Sequence, residues 1–541
     1  MADIVLSTLN ARYSHASLAL RYLKANLSEL SERCDIVEFT TKAEVSRMVD
    51  ELLGRQPKII GFAVYIWNVA VTTELVKKIR QEAPHVTLVI GGPEVSFDTK
   101  ELQISKWVDH IVQGEGEHAF LDICRVHYEE SKNTQKTKQN PLAIVKSIAP
   151  STHDRGPHIW PKIELPLAEI QFPYRLYTDE DISHRVIYVE ASRGCPFRCQ
   201  FCLSSLDKQV RQFPLEAFME ELNILFERGA RTFKFIDRTF NLRIDVSERI
   251  LQFFLDRYVD GLFVHFEMVP DRFPPQLKQL VSQFPKGTLQ FEIGVQTFND
   301  EVAARIERRN NVPSMQENFR FLREETGVHI HADLIVGLPG EDQESFGRGF
   351  DRLMSWRPQE IQVGILKKLR GTPIYTHDRD FEMRYAVEAP YEILSTRHMG
   401  QSVVMRLKRF ARYWDLYANS GRFQDSLDFL WKAGDSQFIS FTRFCTYTYA
   451  NLEATHGLSL LDLTENLFQY LVDEEQHSAP EIQQALIRDY TRDAVRALPG
   501  FLKTGALAIT DLATSASIVT PSSAGQVRQG RHGAGADVRK S

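Results

Sequence analysis

The sequence predicts an α/β protein in three parts: an N-terminal doubly wound parallel sheet, a partial six-stranded (β/α) barrel and a helical C-terminal domain. Three observations carry this. Short apolar runs alternate with amphipathic helical patterns through the first 125 residues, as parallel βαβ units require. A second alternation of the same kind begins near Arg185. From about residue 385 strand patterns give way to helical periodicity. A chain of 541 residues is also too long for one hydrophobic core.

The elements follow in order. "DIVLSTL" (3–9) reads as a strand and "HASLALRYLKANL" (15–27) as an amphipathic helix. "CDIVEFT" is the second strand, and "EVSRMVDELLGR" is a helix stopped by Gly54. "KIIGFAVYIW" (58–67) is a buried strand with a helix over 70–82 behind it. "VTLVIGGPEV" and "VDHIVQGEGE" are the fourth and fifth strands, with a short helix over 117–127. The first domain therefore covers 1–127. Residues 128–184 are polar and proline-punctuated ("PHIWPKIELP") and read as a linker wrapping between domains. Strands are then expected at 185–190, 231–236, 262–267, 288–294, 329–336 and 360–365, within a barrel domain spanning 185–380. Six strands suit a partial barrel better than a closed eight-stranded one. A helical domain follows over 381–505. The tail, 506–541, is rich in Ala, Gly, Ser and Thr and reads as disordered.

Composition excludes several classes. Hydrophobic residues are 43% and charged residues 25%, as in soluble globular proteins. A net charge of −6 gives no global field for nucleic acid, so no nucleic-acid partner is expected. No apolar run reaches membrane-spanning length. The N-terminus goes straight into a strand and lacks the parts of a secretory signal. Six cysteines in so long a chain are not a disulfide framework, and a reducing, cytoplasmic setting is expected.

Three of those cysteines stand in "SRGCPFRCQFCLSS": Cys195, Cys199 and Cys202. A structural zinc site would need a fourth ligand, and none lies nearby. The spacing does not match two-cluster ferredoxins either. A cubane iron–sulfur cluster on three thiolates leaves one iron open to another ligand. Gly194 and Pro196 permit a tight loop, Arg193 and Arg198 add positive charge, and Phe201 sits where it can shield a cluster or touch its ligand. The loop follows the strand "RVIYVEAS", at the barrel face where such folds place their chemistry. Farther on, "TLQFEIGVQTF" puts Gln290, Glu292, Gly294 and Gln296 on one face, and "HIHADLIVGLPGE" puts His331 and Asp333 on one face. Asp237 ends "FKFID" and Glu267 ends "FVHFE".

Cys-x3-Cys-x2-Cys after the first strand of a βα series resembles the radical S-adenosylmethionine (SAM) superfamily. The resemblance implies a [4Fe-4S] cluster on Cys195, Cys199 and Cys202, with SAM on the open iron. It implies reductive cleavage of SAM to a 5′-deoxyadenosyl radical, fed by an electron donor such as flavodoxin or ferredoxin. "EIGVQTF" and "DLIVGLPGE" are similar to elements of coproporphyrinogen-oxidase-like and cobalamin-dependent members. On that basis Glu267, Gln296 and Asp333 are candidate SAM contacts, joined by Phe201, Glu292 and Gly337. "FIDRTFN" stands where the family usually has Gly-Gly-Glu, which makes Asp237 a candidate through a departing motif.

In the first domain, Gly91 and Gly92, then Gly114 and Gly116, stand at strand ends, where glycine lets backbone approach a large ligand. No Gly-x-Gly-x-x-Gly or phosphate loop is present. "GFAVYIWNV", "IGGPE" and "QGEGE" ahead of the cysteine motif resemble the Rossmann-like cobalamin-binding domain of cobalamin-dependent radical SAM proteins. The resemblance implies a corrin lined by Asn10, Arg12, Tyr13, Tyr65, Trp67 and Asn68 together with Gly91, Gly92, Glu94, Gly114, Glu115 and Gly116. Asp-x-His-x-x-Gly is missing, so the resemblance implies base-off binding without a protein His ligand, and His15 is read as capping or opening a helix. The implied activity is methyl transfer to an unactivated carbon of a small molecule. Oxidation or cyclisation of the magnesium-protoporphyrin ester cyclase type is the alternative within the class. A methylthiotransferase is disfavoured, because the extra N-terminal cysteines are absent. A non-catalytic cobalamin- or redox-sensing module is the rival from outside it.

Overall fold

The computed structural model describes residues 2–133, 156–431, 434–492 and 497–503. It divides into two compact units. One joins Met1–Asp237 with Lys368–Pro373 and Ala386–Tyr391; the other joins Arg238–Lys367, Ile374–Tyr385 and Glu392–Ser541.

The first unit is built on β1 (Ile4–Asn10), β2 (Cys34–Thr40), β3 (Ile59–Ala63), β4 (Thr87–Gly91), β5 (His110–Val112) and β6 (His158–Trp160). These strands lie in the order β2-β1-β3-β4-β5-β6, every pair parallel. Alternation along each strand feeds two separate cores. Val5, Leu9, Ile60 and Phe62 pack with Met48 and Leu52 of α2 (Val45–Leu53) and with Leu75 and Ile79 of α3 (Val69–Glu82). Ile4, Leu6 and Ile59 pack with Leu20 of α1 (Leu18–Ala25) and with Phe120 and Ile123 of α4 (Glu117–Asn133). Helices thus cover both faces of the sheet, as a doubly wound fold requires.

The segment read as a bare linker carries structure in its described part. β6 extends the sheet, and α5 (Asp179–His184) opens with a capping box between Thr178 and Asp181. Three residues of β6 are too few to show a period. Buried Arg21 bridges Glu38 at 3.2 Å and Asp181 at 2.7 Å, fastening α5 to the sheet's edge. The unit continues through β7 (Ile187–Val189), a small antiparallel pair β8 (Ser192–Arg193) and β9 (Arg211–Gln212), α6 (Leu215–Glu227) and β10 (Thr232–Phe235), the last parallel to β7.

The second unit contains α7 (Ile244–Asp256), β11 (Phe263–Met268), α8 (Pro275–Val281), β12 (Leu289–Gln296), α9 (Asp300–Arg305), α10 (Val312–Glu325), β13 (His329–Val336), α11 (Gln343–Ser355) and β14 (Glu360–Ile365). β11 to β14 pair in order, all parallel. With β7 and β10 the second βα series supplies the six expected strands. A short hairpin, β15 (Arg384–Tyr385) and β16 (Ile393–Ser395), precedes α12 (Gln401–Trp414), α13 (Gln437–Leu452), α14 (Leu460–Gln469) and α15 (Ala479–Thr491). These helices enclose an aromatic core of Phe410, Trp414, Tyr417, Phe441 and Phe444. Trp414, Tyr417 and Phe444 are buried in this core, whereas Trp431 is half-buried. Buried Asn419 bonds both the N–H and the C=O of Ile361 at 2.9 Å, tying this helical region to β14. The expected disordered tail lies outside the described residues.

Candidate active site: a cavity beside the cysteine loop

A cavity of about 1020 Å³ lies within the first unit, at the upper end of the range for small-molecule sites. One wall comes from the ends of the parallel strands: Asn10, Tyr65, Trp67, Gly91, Gly92, Gly114, Glu115 and Gly116 all line it. The other comes from the segment around the cysteines, through Glu190, Arg193, Leu203, Leu206 and Asp207. Gly92 has φ +110, and a Cβ there would stand 2.6 Å from the Val64 carbonyl oxygen, so only glycine fits. Tyr65 and Trp67 stack at 4.4 Å, and Trp67 is 52% exposed at the rim rather than in a core.

Four residues expected to face the corrin do not line this space. Asn68 is fully buried and works as a strut. It accepts from the Tyr65 N–H at 2.8 Å and donates to the Leu9 and Ala63 carbonyls, joining the ends of β1 and β3. Buried Glu94 accepts from Arg370 at 3.0 Å and from the Tyr391 hydroxyl at 2.6 Å. Arg12 and Tyr13 are exposed, and the Tyr13 hydroxyl bonds Glu180. Strand-end position alone does not separate a wall residue from a strut. The helix is capped by Ser17, and His15 lines the cavity instead of opening α1. Burial lowers the pKa of His15, with Arg12 and Lys234 acting in the same direction.

The cysteine loop is pinned at several points. β8 and β9 pair across its base, placing Ser192 opposite Gln212 and Arg193 opposite Arg211. Gly194 has φ +95 and packs on the Gln209 carbonyl so closely that a Cβ would overlap it. The Cys195 N–H donates to Asp207 O at 2.9 Å, and the Ser205 hydroxyl donates to the carbonyls of Cys199 and Cys202. Cys195 and Cys199 are buried; Cys202, Phe201 and Gly194 are half-buried. Arg193 reaches Glu190 and Glu117 at 2.8 Å each, and Arg211 pairs with Glu115. Glu115 therefore lines the cavity with its carboxylate already engaged. Asp237 is buried and accepts from the Ala191 N–H at 3.0 Å and the Ser192 hydroxyl at 2.5 Å. It holds the entry of the loop rather than standing open to a ligand. Burial, with the nearby Glu190, pushes its pKa up to about 7 against these two donors.

In the second unit, the register puts Glu267, Glu292, His331 and Glu360 in one row across β11 to β14, with Asp333 one step along β13. Glu267 pairs with Arg238 at 2.9 Å, His265 with Glu292 at 3.0 Å, and His331 with Asp333 at 3.4 Å. Glu360 bonds His329 at 2.9 Å and stands 3.7 Å from His331. Burial opposes a charge on His331, but Asp333, Glu360 and Glu292 outweigh it and push its pKa up to about 9. Burial raises Asp333. Gln296 is held at φ +71, its Oε1 buried without a hydrogen-bond partner. A Cβ at Gly294 would collide with the Gln296 amide nitrogen. Gly337 turns the chain after β13 at φ +88, against Ile393. Glu267, Glu292 and Asp333 therefore share one face, with Gln296 at the end of β12. The sequence reading missed Arg308, which donates to the Gly294 carbonyl and whose charge acts on Asp333. It sits in a loop with no periodic signal. It also missed the His329–Glu360 pair, whose trace was the alternation in "HIHAD".

Family models match in three places: a B12 binding domain over residues 4–123, a radical SAM superfamily domain over 189–353, and a domain described as a protein of unknown function over 379–516. The chain is a radical SAM protein with a B12-binding domain. Its cofactors are a [4Fe-4S] cluster, SAM and cobalamin. It is 23% identical over 350 residues to an anaerobic magnesium-protoporphyrin IX monomethyl ester cyclase of Cereibacter sphaeroides, covering 62% of this chain and 55% of the relative. It is 30% identical over 324 residues to an uncharacterised methyltransferase of Pyrococcus horikoshii, covering 57% and 66%. It is 20% identical over 459 residues to the cobalamin-dependent radical SAM methyltransferase TokK of Streptomyces tokunonensis, covering 79% and 63%. The chain thus spans between about half and two thirds of the length of these relatives. In fold it is similar to the cobalamin-dependent SAM radical enzyme OxsB, with a TM-score of 0.58 at 12% identity over 90% of this chain and 83% of that one.

The radical SAM protein's residues fit these groups. Three thiols in one eight-residue span match a cubane's need for thiolates on three separate irons. Among the described residues no cluster of His, Cys, Asp or Glu is gathered to hold a single metal ion. Within the second unit, the orphaned Gln296 Oε1 is a buried hydrogen-bond acceptor, and the Glu267 and Glu292 carboxylates pair with Arg238 and His265. The large cavity with its glycine-lined strand ends suits a corrin. Among the described residues no helix is long and apolar enough to cross a membrane.

Proposed function

We propose that this chain is a cobalamin-dependent radical SAM enzyme that transfers a methyl group to an unactivated carbon of a small molecule. The observation that carries the reading is a cavity walled on one side by B12-domain strand ends and on the other by the cysteine segment. When bound, the cluster, SAM and cobalamin supply radical chemistry and a methyl carrier. The protein's own contribution is placement. Asp237 and the β8–β9 pair fix the thiols, the arginine–glutamate contacts of Arg193 and Arg211 hold the loop to the cavity wall, and the apolar lining excludes water. A one-electron donor of the flavodoxin or ferredoxin class completes the system. The match to the ester cyclase supports a second reading, anaerobic oxidation or cyclisation.

The test supplies reconstituted protein with reductant, methyl-labelled SAM and cell extract. The proposal expects 5′-deoxyadenosine and label in a new carbon-methylated product. Formation of 5′-deoxyadenosine without label transfer selects the second reading. No 5′-deoxyadenosine above a Cys199→Ala control overturns both.

A further inference from the structure

Among the described residues, His15 is the one histidine that lines the cavity. Its backbone is fixed on three sides. The N–H donates to Arg12 O at 3.2 Å, the carbonyl accepts from the Asn10 side chain at 2.8 Å, and the residue bridges to Val186. Its ring is fixed as well, with Nδ1 at 2.5 Å from the Tyr188 hydroxyl. Anchoring one imidazole nitrogen through a hydrogen bond fixes the tautomer and orients the other, the arrangement typical of metal-bound histidines. Of the other charged side chains on the walls, all but the Asp98 carboxylate are paired. Glu115, Glu117 and Glu190 are held by Arg193 and Arg211, Lys162 pairs with Glu164 at 2.8 Å, and Asp207 pairs with Arg211. Among the described residues no Cys or Met lines the space.

We infer that His15, oriented by Tyr188, is an axial nitrogen ligand to the cobalt of the bound cobalamin. This rests on the proposed binding of cobalamin in this cavity. It departs from the expectation of base-off binding without a protein histidine. That expectation followed from the missing Asp-x-His-x-x-Gly motif, which tests one spacing after β1 and not whether an imidazole reaches the cavity by another. The loop from Asn10 to His15 leaves the same strand end by a longer path. Tyr188 then acts as a positioning residue, through His15 and not on the cobalt.

The test is paramagnetic resonance of full-length protein loaded with cob(II)alamin, with corrin absorbance measured in parallel. The inference expects stoichiometric corrin and an axial-nitrogen triplet that becomes a doublet when the protein is labelled with 15N-histidine. The label distinguishes a protein nitrogen from the cofactor's own base without any substitution. His15→Ala should retain corrin and lose the protein-derived splitting. Tyr188→Phe should keep the splitting with an altered coupling, and serves if His15→Ala does not fold. Retained corrin with no nitrogen splitting, or with a triplet unmoved by the label, overturns the ligand role and leaves cobalamin binding standing. Failure to retain corrin overturns the cavity assignment itself, and the ligand with it.

Discussion

Asp237 gives a pH-dependent prediction that follows from its burial. Its carboxylate is 4% exposed and accepts two donors at the entry of the cysteine loop, and burial pushes its pKa from 3.8 to about 7. The folded state therefore holds a proton that the unfolded state has released. Its stabilising contribution is complete below about pH 4 and is lost as the pH rises to about 7. At ~1.4 kcal/mol per pH unit this is on the order of 4 kcal/mol. Asp237→Asn abolishes that titration but turns an amide N–H toward one of the two donors, costing about 1–3 kcal/mol. The variant should be the less stable protein at pH 5 and lose its disadvantage by pH 8. Hydrogen exchange of the segment 187–193, variant against wild type at each pH, reads the local opening. A difference in protection that stays constant from pH 5 to 8 refutes the burial argument.

Asn68→Ala leaves the Tyr65 N–H and the Leu9 carbonyl without their buried partner. It should cost about 2–4 kcal/mol in thermal or denaturant stability, with corrin affinity of the folded fraction unchanged; a purely corrin-binding loss would contradict the strut assignment. Gly92→Ala meets both a strained φ and the Val64 carbonyl. It should destabilise the first unit and lower retained corrin, measured by absorbance after gel filtration. Glu341 is buried with a pKa raised by burial from 4.5 to about 7, so its contribution is lost as the pH rises through that range. Glu341→Gln should gain melting temperature relative to wild type at pH 8 over pH 5, and equal shifts at both would count against it.

Much of this architecture was legible because burial leaves period-two and period-3.6 patterns. β2, β13 and β14 fall on the runs read from the sequence, since long apolar alternation is unambiguous. β6 and the β8–β9 pair were not legible. Two- and three-residue strands are set by their partners, and a segment with no period of its own carries no trace of them. The site divides the same way. Cysteine spacing and strand-end glycines are local facts, so Cys195, Cys199, Cys202, Gly91 and Gly116 could be found from sequence. Whether a polar strand-end side chain faces a cavity or braces the fold depends on distant partners. Asn68 and Glu94 look like ligand contacts in sequence, yet they bond Leu9 and Arg370. His15 is the converse, reaching the cavity wall because Tyr188, distant in sequence, holds its ring.

The central claim is that one cavity brings cobalamin beside the cluster. Its most direct measurement is the spin relaxation of cob(II)alamin in doubly loaded protein, with the cluster oxidised and then reduced. The account predicts marked relaxation enhancement on reducing the cluster, absent in Cys199→Ala. Relaxation unchanged by the cluster's oxidation state, with both cofactors present in stoichiometric amounts, would contradict it.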